Sequence, residues 1–191
     1  LARVDSDLTK RLTTSMKKRG LQIHTGTKVT AITPGETGLV VEAEGRKGSI
    51  SFEVDNVLVS VGRSPRVQGL NLDQVGVSYD RKGIKVDDQY MTTVAGIYAI
   101  GDVIGGAMLA HVASHQGKAV AETVMGLPAT SKHEVVPACI FVSPEIATVG
   151  LTEEEAKEQG IAYKVSKFMF GANGKALRSE EHTSELQSLS H

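Results

Sequence analysis

Tryptophan is absent from this 191-residue chain, aromatic residues make up 4%, and there is one cysteine. A single cysteine excludes an internal disulfide and a cysteine-rich zinc site. An excess of charge of either sign is also missing: 21 Lys and Arg face 22 Asp and Glu, a net charge of -1. That balance excludes binding to nucleic acid or an anionic membrane by bulk charge. The apolar runs are only a few residues long, too short for a membrane-spanning helix. No G-x-G-x-x-G loop, nucleophile elbow or Walker A sequence occurs. Glycine, by contrast, is abundant, with 20 residues, in a composition of 40% hydrophobic and 23% charged residues that is ordinary for a soluble domain. The first residue is Leu1 rather than Met, so this start is expected not to be the natural one, which leaves room for a targeting segment before it.

The last stretch, 178–191, breaks from what precedes it. It lacks apolar periodicity and switches to Ser, Glu and His. It reads as one translation frame of a sequencing adapter and is expected to be a non-native tail; a disordered acidic tail is the alternative. Without its Arg178, Glu180, Glu181 and Glu185, the chain carries 20 basic and 19 acidic residues, still near neutral.

Leu8, Leu12 and Met16 recur every four residues and predict a helix over 5–19, capped by Ser6 or Asp7 and closed at Gly20. Strands are expected over 21–25, 28–32, 38–44, 49–54 and 56–61. Val41–Glu44 and Ile50–Val54 alternate as half-exposed strands do. Val57-Leu-Val-Ser-Val61 is almost continuously apolar and predicts a strand covered on both faces. Residues 66–90 read as a loop-rich link between domains. Ile97–Ile100 predicts a buried strand. Residues 107–125 predict a helix whose packed face is Ala110, Ala113, Gly117, Val120, Ala121 and Val124, stopped by Gly126-Leu-Pro128. A polar linker follows at 129–134. Further strands are expected over 138–142, 146–149 and 163–170. Thr152-Glu-Glu-Glu155 is a capping box opening a short helix that ends at Gly160.

Chemistry concentrates at two strand ends. Gly101-Asp102, followed by Gly105-Gly106 and a helix, places a carboxylate where ligands bind in open parallel sheets. Such a carboxylate accepts hydrogen bonds from sugar or polyol hydroxyls, and the helix start behind it offers N–H groups to a phosphate. The plainer reading is an Asp capping a helix. Gly62-Arg63-Ser-Pro65 follows the same logic, with Arg63 able to pair with a phosphate or a carboxylate; the plainer reading is a tight turn with a solvent-facing Arg. His111 and His115 lie four apart on the predicted helix, a possible metal pair without an evident third ligand. No metal site is expected. His24 and His133 read as ordinary surface or strand residues. Cys139 sits in an apolar strand and is expected to be a buried small hydrophobe.

Taken together, Val61-Gly-Arg-Ser-Pro65, Thr92-Thr-Val-Ala-Gly-Ile-Tyr-Ala-Ile-Gly-Asp102, Met108-Leu-Ala-His111, Ser143-Pro-Glu-Ile-Ala-Thr-Val-Gly150, Tyr163-Lys-Val-Ser-Lys-Phe168 and Ala172-Asn-Gly174 resemble the dihydrolipoamide dehydrogenases. The resemblance spans residues 1–177 in order and spacing. Tyr-Ala-Ile-Gly-Asp alone says only flavoprotein disulfide reductase; Met-Leu-Ala-His favours the dihydrolipoamide enzymes over glutathione- and mercuric-reductase relatives.

The resemblance implies an α/β fold: part of a two-dinucleotide-binding, Rossmann-like FAD/NAD flavoprotein plus the start of an α+β dimerisation domain. Residues 1–62 would be the second half of the NAD-binding domain, 63–132 the C-terminal segment of the FAD-binding domain, and 133–177 the start of the dimerisation domain. Asp102 would hydrogen-bond the ribityl chain of FAD. Met108, Leu109, Ala110 and His111 would line the flavin. Gly62 would contact NAD, and Val29 would lie by its adenine half.

The family's redox cysteine pair and both G-x-G-x-x-G loops would lie upstream of Leu1, and its His–Glu pair beyond Leu177. The chain is therefore expected to hold no catalytic residue and to be inactive alone. In the parent enzyme, dihydrolipoamide carried on protein would be oxidised by NAD+ through FAD and a redox disulfide. The implied partners are a second copy, as a homodimer, and the lipoyl domains of 2-oxo acid dehydrogenase complexes or the glycine cleavage system, with no nucleic acid and no membrane. The implied location is the cytoplasm in a bacterium or the mitochondrial matrix in a eukaryote. The alternatives are a related disulfide reductase and a non-catalytic nucleotide-binding module.

Overall fold

A computed structural model describes residues 4–128, 135–170, 173–174 and 185–190, the last stretch as backbone only. The chain divides into two units, one of Leu1–Val61, Phe141–Ile146 and Leu151–His191, the other of Gly62–Ile140 and Ala147–Gly150. The expected linker 129–134, with His133, and Ala172 lie outside the described residues.

The first unit opens with helix α1 (Ser6–Lys18). Leu12 is buried, with Leu8 and Met16 half-buried on the same stripe. The cap is Asp5, one residue before the expected Ser6 or Asp7, and its Oδ1 accepts the backbone N–H of Asp7 at 3.0 Å. The 8% exposed Asp5 also accepts the Glu153 N–H on Oδ2 at 3.3 Å, so one carboxylate serves the start of a second helix too. Spacing along one helix cannot show that partner. Gly20, at φ 91, closes α1: its N–H reaches Lys17 O and that of Leu21 reaches Met16 O.

Strands β1 (Lys28–Pro34), β2 (Leu39–Gly45) and β3 (Gly48–Val54) form an antiparallel meander. Val41 and Ala43 on β2, and Ile50, Phe52 and Val54 on β3, occupy the more buried face. The alternation in the sequence sets that register. His24 meets Phe52 edge-to-face at 5.1 Å. No strand forms over 21–25.

Residues 57–61 also form no strand. Leu58 is 92% exposed and Val61 93%. No strand among the described residues pairs with this segment, so its backbone bonds and apolar faces lack the neighbours that a covered parallel strand requires.

Helix α4 (Glu153–Glu158), the last of four α-helices among the described residues, has the expected capping box: the Thr152 hydroxyl accepts the Glu155 N–H and the Glu155 carboxylate accepts the Thr152 N–H. Strand β8 (Lys164–Met169) follows, and Glu185–Ser190 adds strand β9, antiparallel to β8 from Lys164↔Ser190 to Met169↔Glu185. Ladder bonds are made by backbone alone, so an edge strand such as β8 accepts an extended segment whatever its composition.

The second unit overturns the reading of 66–90 as a link. That stretch holds a one-turn helix α2 (Leu72–Val75) and the two-residue strands β4 (Tyr79–Asp80) and β5 (Gly83–Ile84). It supplies much of the unit's core: Val77, Ile84 and Ala99 are buried, with Val67, Leu72, Val86, Val94, Val103 and Ile104 packed on them. These apolar residues stand singly between turns, so they produce no periodic signal. The strand expected at 97–100 reduces to an isolated bridge, Met91↔Tyr98, although Ala99 is buried.

A 3-10 turn (Gly101–Ile104) leads to helix α3 (Ala110–Val124). Its buried residue is Ala119; Ala113, Gly117 and Val120 are half-buried, whereas Ala110, Ala121 and Val124 of the expected face are exposed. Strands β6 (Ala138–Ile140) and β7 (Ile146–Thr148) match the expected positions. Cys139 is exposed, not buried: it lies on the outward side of a three-residue strand whose neighbours Ala138 and Ile140 are half-buried. No helix among the described residues is long and apolar enough to cross a membrane. The helix–strand mixture agrees with the expected class, and the ladders of β1–β5 and of β8 with β9 are antiparallel.

Candidate functional site

The second unit brings Gly62, Arg63, Asp102 and the Met108–His111 segment into one body, while Val29 lies in the first unit on β1. The turn carrying Asp102 is over-determined. Ile100 enters it extended, Gly101 takes φ 71 and Gly105 φ 74, and the Gly105 N–H returns to Asp102 O at 3.1 Å. Those positive φ values favour glycine. The Gly101 N–H donates to Gln116 Oε1 at 2.6 Å, which ties the turn to the second turn of α3. A Cβ on Gly101 would stand 3.2 Å from that of Ala113, and one on Gly117 3.4 Å from Ile100 Cδ1.

Behind the turn, two glycines allow backbone to press on backbone. A Cβ on Gly83 would run into the Val103 carbonyl, and one on Gly105 into the Lys82 carbonyl. This contact was not legible in the sequence, because the two glycines are 22 positions apart and no pattern links them. A glycine-rich count was the one available signal.

The geometry selects among the readings of the two glycine motifs. Arg63 Nη2 donates to Asp102 Oδ2 at 2.6 Å, so Arg63 does pair with a carboxylate, that of this chain. Asp102 is the carboxylate of a 3-10 turn rather than the cap of α3. The cap residue of α3 is Leu109, which makes no side-chain hydrogen bond to the first turn. The free N–H groups there and the positive end of the helix dipole suit an electron-rich ligand group. Met108 just before it holds φ 49, a left-handed conformation that costs a non-glycine residue on the order of 1 kcal/mol or more.

A half-exposed carboxylate acceptor, open glycine backbone and an uncapped helix start are the features that a polyol-linked ring system with carbonyl and ring-nitrogen acceptors would use. FAD has that chemistry, and the residues fit it.

His111 is turned to structural use as well: its Nε2 lies 2.9 Å from Pro137 O. A carbonyl only accepts, so the ring donates from Nε2. No cluster of three or more His, Cys, Asp or Glu side chains able to hold a metal occurs among the described residues. Gly62 takes φ 117 with open space where a side chain would stand. Val29 is 53% exposed, beside a register shift in the β1–β2 ladder.

Comparison with known proteins supplies the context for this geometry. Residues 1–117 match the family model described as pyridine nucleotide-disulphide oxidoreductase, and residues 136–187 match that family's dimerisation domain. Among curated relatives, leghemoglobin reductase from Glycine max is 42% identical over 91% of this chain and 34% of its own length. Mitochondrial dihydrolipoyl dehydrogenase from Pisum sativum is 41% identical over 91% of this chain and 35% of its own. Dihydrolipoyl dehydrogenase from Cupriavidus necator is 42% identical over 93% of this chain and 38% of its own. The relatives thus include mitochondrial and bacterial proteins, and the chain spans about a third of their length.

The HOCl-induced flavoprotein disulfide reductase RclA from Escherichia coli superposes with a TM-score of 0.84 at 26% identity, over 99% of this chain and 43% of its own. LpdA from Mycobacterium tuberculosis gives 0.86 at 26% identity, over 98% and 40%. These matches bear out the resemblance read from the motifs, and with a family model covering more than half of its residues, the chain belongs to the pyridine nucleotide-disulphide oxidoreductases.

Proposed function

We propose that the protein carrying this chain is a dihydrolipoamide dehydrogenase, which oxidises protein-bound dihydrolipoamide with NAD+ through FAD and a redox disulfide. The observation that carries this reading is the Asp102 turn: a half-exposed carboxylate beside an uncapped helix, in a chain about 40% identical to several dihydrolipoyl dehydrogenases. FAD, when bound, supplies two-electron transfer between a dithiol and a nicotinamide. The role of this chain is binding and orientation. The Asp102 carboxylate accepts ribityl hydroxyls, and Met108, Leu109, Ala110 and His111 form the wall and helix start against the flavin. Gly62 and Val29 serve the nicotinamide cofactor, through open backbone and through an exposed apolar side chain respectively.

On this reading 1–62 belongs to an NAD-binding domain, 63–132 to an FAD-binding domain and 133–177 to a dimerisation domain, whose family match runs on to residue 187. The dimerisation-domain match supports a homodimer. Lipoyl domains are the macromolecular substrates that the reaction requires. The one cysteine of the chain, Cys139, is exposed on a short strand, so the dithiol of the reaction is not formed within these residues.

The test uses the complete protein. Asp102→Ala is expected to release FAD on dialysis, lowering flavin affinity by about tenfold to a hundredfold, the size of a lost hydrogen bond to a charged group. A flavin-to-protein ratio unchanged from the parent's would overturn this role. Dihydrolipoamide-dependent reduction of NAD+ by the parent protein tests the reaction itself.

A further inference from the structure

We infer that Arg63 is a positioning residue for Asp102, acting on the flavin cofactor through that carboxylate rather than by touching it. The inference rests on the reading of Asp102 given above. Arg63 lies in the irregular Gly62–Pro65 segment and Asp102 in the 3-10 turn, 39 positions apart in sequence, and a 2.6 Å hydrogen bond joins them. The guanidinium takes one site on Oδ2. An ionised carboxylate offers about four lone-pair sites, so Oδ1 and the rest of Oδ2 stay open to hydroxyl donors.

The Asp102 side chain is 43% exposed and has no other hydrogen bond among the described residues. Without Arg63 its rotamer is free, and the cofactor has to order it on binding. With Arg63 the ordering is already done. The backbone beneath is fixed independently, by Gln116 on the Gly101 N–H and by the Gly83 and Gly105 contacts. Removing the Arg63 side chain therefore changes the aim of the carboxylate and leaves its place in the fold. The pair is also too exposed to matter much for folding: Arg63 is 73% exposed, and such bridges add little stability.

The experiment is a double-mutant cycle in the complete protein, stripped of flavin and titrated with FAD by fluorescence quenching, alongside thermal unfolding of the stripped protein. Arg63→Ala is expected to weaken FAD binding about threefold to tenfold with the stripped protein's melting temperature unchanged, the range an exposed charge-assisted contact allows. Arg63→Lys should recover part of that loss. In an Asp102→Ala background, Arg63→Ala should have no further effect. Raising the salt to about 1 M should shrink the gap between parent and Arg63→Ala, because screening weakens the exposed pair.

An Arg63→Ala loss of equal size in both backgrounds would show that Arg63 meets the cofactor directly, and would overturn the inference while leaving the role of Asp102 intact. An unchanged affinity in Arg63→Ala, with Asp102→Ala still defective, would overturn it equally. An unchanged affinity in Asp102→Ala itself would sink the cofactor reading of the site, and the inference with it.

Discussion

The two units hold their backbones in different ways. In the first, the β1–β3 meander between Lys28 and Val54 is held by antiparallel ladders with one register shift between Val29 and Ala31, and helices α1 and α4 begin at side-chain caps. In the second, β4 and β5 are two residues each, and the stretch from Gly62 to Leu109 that leads to helix α3 is otherwise held by a one-turn helix, a 3-10 turn, isolated bridges and side-chain braces. Asp87 Oδ1 accepts the N–H groups of both Gln89 and Met91, and Thr93 Oγ1 both accepts from Ser78 N–H and donates to Gly76 O. Gly83 and Gly105 complete that arrangement by direct backbone contact. A ladder spreads its stability over many equivalent bonds. A braced turn concentrates it in a few residues, which suits a site that must place one carboxylate but leaves the unit exposed to single substitutions.

The sharpest way to break this comparison is Gly83→Ala. The new methyl would meet the Val103 carbonyl and come within 2.9 Å of the Ile104 carbonyl carbon, at φ 121, where side chains are strained. We expect a loss of roughly 3 kcal/mol or more, the sum of backbone strain and overpacking, together with loss of flavin from the complete protein. Urea unfolding and the flavin-to-protein ratio check it. A loss under 1 kcal/mol would mean that the second unit is as tolerant as the first.

A medium effect is expected in the first unit. Asp5→Ala removes the cap of α1 and the acceptor for the Glu153 N–H together. The expected cost is about 1–2 kcal/mol, with Asp5→Asn recovering only part of it, since an amide oxygen caps α1 but its NH2 group cannot accept the second N–H. Hydrogen exchange should accelerate at both Asp7 and Glu153 in the alanine variant, and at only one of the two in the asparagine variant, whose amide has a single acceptor oxygen.

The smallest effect concerns pH. The Lys167 ammonium, hydrogen-bonded to Asp7 at 2.5 Å, holds that carboxyl below its ordinary value, and a hydrogen bond from Ser6 does the same for Glu154. Both groups bind protons more weakly folded than unfolded. Their stabilisation is therefore full above the unfolded values of 3.8 and 4.5 and is lost as pH falls through the lower folded values. Both are well solvated, so the loss should be slight. Lys167→Ala should move the Asp7 titration upward, followed by NMR, and leave that of Glu154 in place.

Legibility followed the same division. The stripe of Leu8, Leu12 and Met16, the Thr152–Glu155 box and the alternation along Ile50–Val54 are local patterns with a known period, and the elements formed where those patterns lay. Asp5 was missed as a cap because Ser6 and Asp7 are equally good capping types one and two positions on. The core around Val77 and Ile84 was missed because it is assembled from single apolar residues separated by turns. Arg63 and Asp102 were each singled out, but their pairing was not, since nothing in a sequence records a contact 39 positions apart.

What the sequence alone determined was much of what depends on neighbours within about four positions: the stripe of α1 and its close at Gly20, the Thr152–Glu155 capping box, the alternation along Ile50–Val54, and the ordered motifs that resemble one family. The tertiary structure decided which of two plausible roles each exposed polar residue takes. Arg63 became a partner of Asp102 instead of a free surface charge, and Cys139 faced outward instead of in. It also decided where the backbone is pinned, at Gly83 and Gly105. Local patterns report the energy of a residue against its own backbone; pairings between distant turns depend on packing that many sequences satisfy in different ways, so only the folded chain specifies them.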